Sequence, residues 1–305
     1  MRFFRTTNIN FLSIRRFTYV GSALIILSGI VSLTVKGIDY GIDFRGGTEI
    51  VLSFNQPPAI GALRTALGNV GLEKSEIKSF GSTGDLLIRT TEQESGTAIG
   101  DRIKQAVQTS FPNLTFEVLK EDKIGPKIGK ELRRDALYAI IASLVVILGY
   151  IAIRFKFIYG VGAVVALFHD VLITLGVMSI LDGVFPRLNL EISQEVVAAF
   201  LTLVGVSVND TVVVFDRIRE NLKIYRSKSL SEVMNKSLND TLSRTIITSG
   251  TILIVTTILL VMGGEVTRGF AFTLTVGLIT GTYSSIYIAS AIVLDWSLRK
   301  KKAAE

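Results

Sequence analysis

Two pairs of polar side chains interrupt stretches that are otherwise almost wholly apolar. His169 and Asp170 lie near the centre of the run Ile158–Leu181. Asn209 and Asp210 lie within Val196–Phe215, about 7 Å from its midpoint at 1.5 Å per helical residue. A carboxyl group in apolar surroundings is poised between two forms, because burial disfavours its charge and a nearby cation favours it. Such a group can take up and release a proton, and an arginine is a suitable counter-charge. Arg244 just precedes the apolar run Ile246–Gly263, and its long side chain can snorkel along the edge of that run. The chemistry to expect is proton transfer, with Asp210, Arg244, Asn209, Asp170 and His169 as relay candidates. A plainer reading stands beside it: Asp170 and His169 hydrogen-bond to neighbouring helices and lock a bundle, and Arg244 is an interfacial anchor. Asp216, Arg217, Arg219 and Glu220 read as a solvated, salt-bridged helix extension.

Other chemistries lack their parts. The chain has no cysteine and one histidine, which excludes disulfides, thiol catalysis, Cys-based zinc sites and multi-histidine metal sites. Gly125-Pro-Lys-Ile-Gly-Lys-Glu131 is one residue too short for a phosphate loop and ends in Glu instead of Ser or Thr. The glycines between Gly41 and Gly47 do not form GxGxxG, and no Gly-x-Ser-x-Gly elbow occurs. The expectation is a protein that is no enzyme and has no cofactor or metal. Protons of a membrane gradient, or a partner, would supply its energy.

The elements that must hold these residues follow from the composition. Of 305 residues, 49% are apolar and 19% charged, where soluble domains carry about a quarter charged. Mean hydropathy is +0.49. Six runs approach the roughly 20 residues a helix needs to cross the hydrocarbon core: 17–35, 136–153, 158–181, 196–215, 246–263 and 270–296. The first follows Arg2, Arg5, Arg15 and Arg16 but has no small-x-small cleavage site after it, so it reads as an uncleaved anchor. The tail 1–16, the turn at Arg154 and Lys156, the loop 216–245 and the tail 297–305 together hold seventeen basic residues. The alternate short loops hold only Arg187 and Arg268, against Asp182, Glu191, Glu195 and Glu265. The positive-inside rule therefore puts both termini in the cytoplasm of a multi-pass membrane protein. The net charge of +7 is an orientation signal and not a nucleic-acid surface.

Residues 36–135 are neutral, with fourteen basic and fourteen acidic side chains, and read as an extracytoplasmic α+β domain. Strands are expected at 48–54, 77–80, 85–90 and 114–120, with a turn at Gly81-Ser-Thr-Gly84, and helices at 57–70 and 98–110. The order β-α-β-β-α-β is ferredoxin-like. Within the spans, Gly162, Ala166, Asp170 and Thr174 share one helical row, and His169 points about 100° away toward Val165 and Ile173. Gly277, Gly281, Ser285 and Ala289 repeat the spacing, with a GxxxG that suits close helix packing.

Four segments carry a family resemblance. Gly41-Ile-Asp-Phe-Arg-Gly-Gly-Thr48, with Asp43, Gly46 and Gly47, resembles the signature that SecD/SecF export proteins place just outside their first span. Ala166–Gly176, Val208–Asn221 and Ser243–Gly250 are similar to the motifs of their third, fourth and fifth spans. The short outer domain is similar to the SecF branch, the SecD branch having a larger one. The resemblance implies half of a resistance-nodulation-division-type transporter. It would be a proton-motive-force-driven accessory subunit of the Sec translocase in the bacterial inner membrane, acting with a SecD-like subunit, the SecYEG translocon and exported or inserting polypeptides. It also implies that Asp210 and Arg244 are tied to proton conduction. Val206 and Phe215 depart from the Tyr and Ser that many relatives carry. Half of a proton-driven small-molecule exporter and a non-conducting assembly factor of the translocon are the alternatives.

Overall fold

The computed structural model describes residues 7–81, 84–92, 98–185, 188 and 190–303. Arg2, Arg5, Arg187 and the centre of the expected turn at Ser82 and Thr83 lie outside the described residues. In chain order the elements are α1 (Arg15–Lys36), a short α2 (Ile42–Arg45), β1 (Gly47–Phe54), α3 (Ile60–Gly68), β2 (Glu76–Ser79), β3 (Asp85–Thr90), α4 (Ala98–Ser110) and β4 (Phe116–Ile124). Then follow α5 (Pro126–Arg154), α6 (Phe157–Leu181), α7 (Gln194–Ile224), α8 (Leu230–Met262), α9 (Glu265–Ser284), a π-helical turn (Ser285–Ala289) and α10 (Ser290–Lys302). Among the described residues, six helical segments are long and apolar enough to cross a membrane. The last of them runs through α9, the π turn and α10.

The small domain is an antiparallel sheet in the order β2-β3-β1-β4. Alternation along the strands gives it two faces. Ile50, Leu52 and Ile88 pack with Leu63 and Leu67 of α3 and Ile99 and Ile103 of α4. On the opposite face, Glu49 and Arg89 are cross-strand partners. Only α5 joins this domain directly to the second span. Pro126, at the first position after Gly125, starts that helix ten residues before the apolar run at 136. The boundary read at residue 135 therefore falls inside a continuous helix.

A second difference concerns 216–245, read as a loop beyond the helix extension that carries Asp216, Arg217, Arg219 and Glu220. α7 continues to Ile224 and α8 starts at Leu230, which leaves a five-residue turn. Ser229 and Glu232 form a reciprocal capping box there, each side chain bonded to the other's backbone N–H. The two extensions are tied by Arg217–Asp240 at 3.0 Å and by Asn221 Nδ2 to Asp240 Oδ2 at 3.1 Å. A helical hairpin thus continues the fourth and fifth spans beyond their apolar runs.

Close approach of the helices rests on small residues. A Cβ placed on Gly29 of α1 would stand 2.6 Å from Cα of Gly176 in α6, so the two backbones touch there. A Cβ on Gly277 would stand 2.4 Å from a Leu203 methyl, and one on Gly281 would stand 3.1 Å from Ser207 Cβ. The GxxxG of the sixth span therefore packs against α7 of the same chain.

Candidate functional site in the helix bundle

α6, α7, α8 and α9 bring polar side chains to two carboxylates. Asp170 on α6 is 1% exposed. Its Oδ2 accepts from Ser207 Oγ of α7 at 2.6 Å and from Ser284 Oγ of α9 at 2.8 Å. Its Oδ1 lies 2.9 Å from His169 Nδ1, and His169 Nε2 lies 2.9 Å from Ser22 Oγ of α1. If Asp170 is ionised, Nδ1 must donate, so a neutral imidazole accepts from Ser22 through Nε2. The ring is stacked on Tyr283, whose hydroxyl donates to the Thr18 carbonyl at 3.1 Å. Gly162, Ala166, Asp170 and Thr174 are all buried on one row. His169 is buried as well and folds back on its neighbour, so the divergence of about 100° does not separate the two groups.

Asp210 is 5% exposed and faces α8, where Ser249 Oγ donates to its Oδ2 at 2.8 Å. The expected partner differs from the observed one. Among the described residues Arg244 forms no ion pair with Asp210, and its side chain is exposed. Arg244 lies five residues from Ser249, or about 7.5 Å nearer the hairpin end of α8. Asn209 does not join the site either, because it lies on the exposed face of α7. What the sequence reading missed is the set of hydroxyls: Ser22, Ser207, Ser249 and Ser284. A serine inside an apolar run gives no signal of its own, and only the fold shows which of them meet an acid.

α7 links the two acids. Ser207 bonds Asp170, Asp210 bonds Ser249, and Thr211 Oγ1 lies 2.8 Å from Ser285 Oγ in the π turn. Positions i, i+3 and i+4 share one helical flank, so these contacts form a continuous polar seam. Ser285, expected to serve only packing, is therefore part of the seam. The π turn itself was not legible; Ser290 Oγ bonds the Ser285 carbonyl five residues back, as that geometry allows.

The outer end of α7 is fixed to the small domain. The backbone of Gly41 and Ile192 pairs through Gly41 N to Ile192 O at 2.9 Å and Ile192 N to Asp39 O at 2.8 Å. Asp43 Oδ2 accepts from the Gln194 backbone N–H at 3.0 Å, at the positive end of the helix dipole. Partial burial pushes the Asp43 carboxyl above its ordinary value, with that hydrogen bond working against the shift. Gly46 and Gly47 have φ of +72° and +129°. A Cβ on Gly47 would come within 2.3 Å of the Thr90 carbonyl oxygen, which accounts for the glycine. Beside them, buried Arg89 donates to Glu49 and to Glu191 of the loop before α7, at 2.6 Å and 2.8 Å. Burial alone would weaken its charge; the bonds and charges of Glu191 and Glu49 outweigh that and hold it above the usual arginine value. At the same level Lys36 Nζ closes the end of α6 by donating to the carbonyls of Ser179, Ile180 and Asp182.

Among the described residues no cluster of histidine and carboxylate side chains is arranged to hold a metal ion. The arrangement places two buried carboxylates on one hydrogen-bonded seam and bonds the outer end of α7 to the small domain.

Comparison with known proteins agrees with these features. Residues 102–299 match the family model described as protein export membrane protein SecD/SecF, C-terminal, and residues 31–58 match the SecD/SecF GG motif. The protein translocase subunit SecF of Rhodothermus marinus is 48% identical over 304 residues, with 100% of this chain and 97% of that one covered. The SecF of Vibrio alginolyticus is 39% identical, with 96% and 91% covered. The crystal structure of SecDF from Thermus thermophilus, described as a translocon-associated membrane protein, superposes with a TM-score of 0.84 at 36% identity. That match covers 95% of this chain and 39% of the solved chain, so this chain spans about two fifths of its length. A buried acid on the fourth span, a GG segment at the root of a ferredoxin-like domain and a full-length match to SecF proteins together make this chain a member of the SecD/SecF family of protein-export membrane proteins.

Proposed function

We propose that this multi-pass membrane protein is the SecF-type half of a proton-driven subunit of the Sec translocase. In this reading it acts with a SecD-like partner to complete the movement of polypeptides delivered through SecYEG. The termini and the α7–α8 hairpin face the cytoplasm, and the small domain lies outside the bacterial inner membrane. The observation that carries the reading is Asp210, a carboxyl group buried mid-helix with a single serine hydroxyl on it, on a helix whose outer end is bonded to the small domain.

Asp210 alternates between neutral and ionised forms as access switches between the two membrane faces. When it ionises, the exposed guanidinium of Arg244 is drawn toward it, and when it is protonated that attraction lapses. The shift of α8 along α7 that this requires would move the α7 N-terminus and, through Asp43 and Glu191, the sheet. Each proton crossing a 100 mV potential supplies about 2.3 kcal/mol to that movement. Asp170, bonded to α7 and α9 and through His169 to α1, is the fixed side of the seam in this scheme.

The exposed face of α7 supports the partner. Asn209 is exposed there, and the Cβ positions of Gly205 and of Gly250 on α8 have no atom within 4 Å. A polar amide and bare glycines at membrane depth support another protein surface, because lipid offers the amide no bonds and glycines let a neighbouring helix approach closely.

The test is gradient-driven completion of a stalled secretory substrate in vesicles containing the translocon and both subunits. With Asp210→Asn, imposing a proton gradient is expected to give no acceleration. Acceleration at the unsubstituted rate would sink the carrier role and favour a non-conducting assembly factor.

A further inference from the structure

A seam of the membrane region runs between α5 and the pair α6–α7, with side chains of all three helices lining it. It encloses a groove of about 620 Å³, within the roughly 300–1,000 Å³ of small-molecule sites. Its walls are apolar, with Leu137, Leu144, Phe168, Leu175 and Phe200 among them. Among the described residues its charged lining residues are Lys130, Arg133 and Arg134, all at the end nearest the small domain.

Depth and charge together identify the occupant. From Lys130 to Leu144 the α5 wall runs about 21 Å at 1.5 Å per residue. That is about half of the 40–45 Å bilayer including headgroups. Of the facing stretches, Leu167–Leu175 of α6 runs from the middle of that helix toward the small domain, and Val197–Val204 of α7 lies in the half of that helix on the same side. The groove therefore spans one leaflet, with its cations at headgroup level and hydrocarbon-like walls beneath. Arg133 is held at the mouth by Tyr40, whose ring lies 4.5 Å below the guanidinium carbon and whose hydroxyl accepts at 3.3 Å. Arg134 is shared with exposed Asp135 at 3.1 Å, and Lys130 has no ion-pair partner among the described residues.

We propose that this groove seats one anionic glycerophospholipid of the leaflet on the small-domain side, its phosphate among Lys130, Arg133 and Arg134 and its acyl chains between α5 and α6–α7. The inference rests only on the chain spanning a bilayer and is independent of the proton pathway. A lipid here would fill the gap beside α5, the helix that joins the outer sheet to the membrane.

Trp296 is the chain's only tryptophan and lies at the far end of the bundle, so a reporter can be moved into the groove. Leu144→Trp in a Trp296→Phe background is placed in nanodiscs with its SecD-like partner. Quenching is measured with acyl-brominated phosphatidylglycerol and with acyl-brominated phosphatidylethanolamine. Brominated phosphatidylglycerol is expected to quench at about a tenfold lower mole fraction, since cations at the surface attract anionic lipid. Neutralising the rim with Lys130→Gln, Arg133→Gln and Arg134→Gln should remove the preference, and so should Ala136→Phe, which fills the groove and keeps the cations. Equal quenching by both lipids, or a preference that survives Ala136→Phe, overturns the proposal. Absence of quenching by either lipid also overturns it, because the groove is then closed by the partner subunit.

Discussion

Asp170 and Asp210 are both buried carboxyl groups, and their hydrogen bonds separate their roles. Asp170 ties three neighbouring side chains, on α6, α7 and α9, and reaches α1 through His169. Interhelical hydrogen bonds in membranes average about 0.6 kcal/mol and reach about 1.7. Asp170→Ala should therefore cost about 2 kcal/mol, read as a lower unfolding midpoint of the solubilised protein. Asp210→Asn keeps an acceptor for Ser249 and should cost less than about 1 kcal/mol while removing the titratable proton. An Asp210→Asn protein that unfolds more readily than Asp170→Ala would reverse this assignment. The residue types and the row holding Asp170 were readable, because an acid amid apolar neighbours stands out. The bonding pattern was not, since the hydroxyls that complete it come from four different spans. Arg244 illustrates the same limit: proximity to Asp210 follows from topology, but a difference of about 7.5 Å along α8 decides whether serine or arginine meets the carboxylate.

Elements were legible wherever burial imposes a period, and obscured where it does not. Apolar runs marked the membrane-depth part of each helix, yet counting them truncates α5, α7 and α8, whose polar extensions bury little. The signals for those ends were local: Pro126 after Gly125, and Ser229 three residues before Glu232. The α1–α6 crossing was unreadable, because its glycines matter only through each other. Gly29→Val is expected to push α1 from α6 and break the Ser22–His169 contact, destabilising by about 1–3 kcal/mol as overpacking does. Gly21→Ala, on open surface in this chain, should be neutral in the same unfolding assay. The junction between sheet and α7 makes a separate prediction. Arg89→Ala leaves buried Glu49 with Lys120 alone, 3.1 Å away, and should cost less than the roughly 3–5 kcal/mol of a buried charge left wholly unpaired. Glu191→Gln leaves the Glu49 pair intact, so it should leave the sheet folded while faster amide exchange appears at Ile192 and Gln194. Unchanged exchange there would mean that Glu191 is not part of the attachment. Asp43 adds a pH dependence of definite sign. Burial raises its folded value above the ordinary 3.8, so the folded state holds the proton more tightly than the unfolded chain. Its contribution to stability therefore falls as pH rises through the interval just above 3.8, and Asp43→Asn should flatten that part of the melting-temperature profile.

For the whole molecule, the proposed proton-driven function depends on orientation, and the distribution of charge predicts one. Arg154, Lys156, the α7–α8 hairpin and the C-terminal end of α10 lie at one end of the bundle, and the sheet and the acidic loop before α7 lie at the other. Basic segments are retained in the cytoplasm during insertion, whereas acidic residues exert little hold. A neutral domain of about a hundred residues adds no bias of its own, so the short basic loops decide. Because the chain has no cysteine, single labels report each side without a background. Asn69→Cys, exposed at the end of α3, should react with an impermeant maleimide on intact spheroplasts. Ser227→Cys, exposed in the hairpin turn, should react only after permeabilisation. The opposite pattern would invert the molecule, put Arg244 on the outer side of Asp210, and require protons moving down the gradient to pass the arginine before they reach the acid.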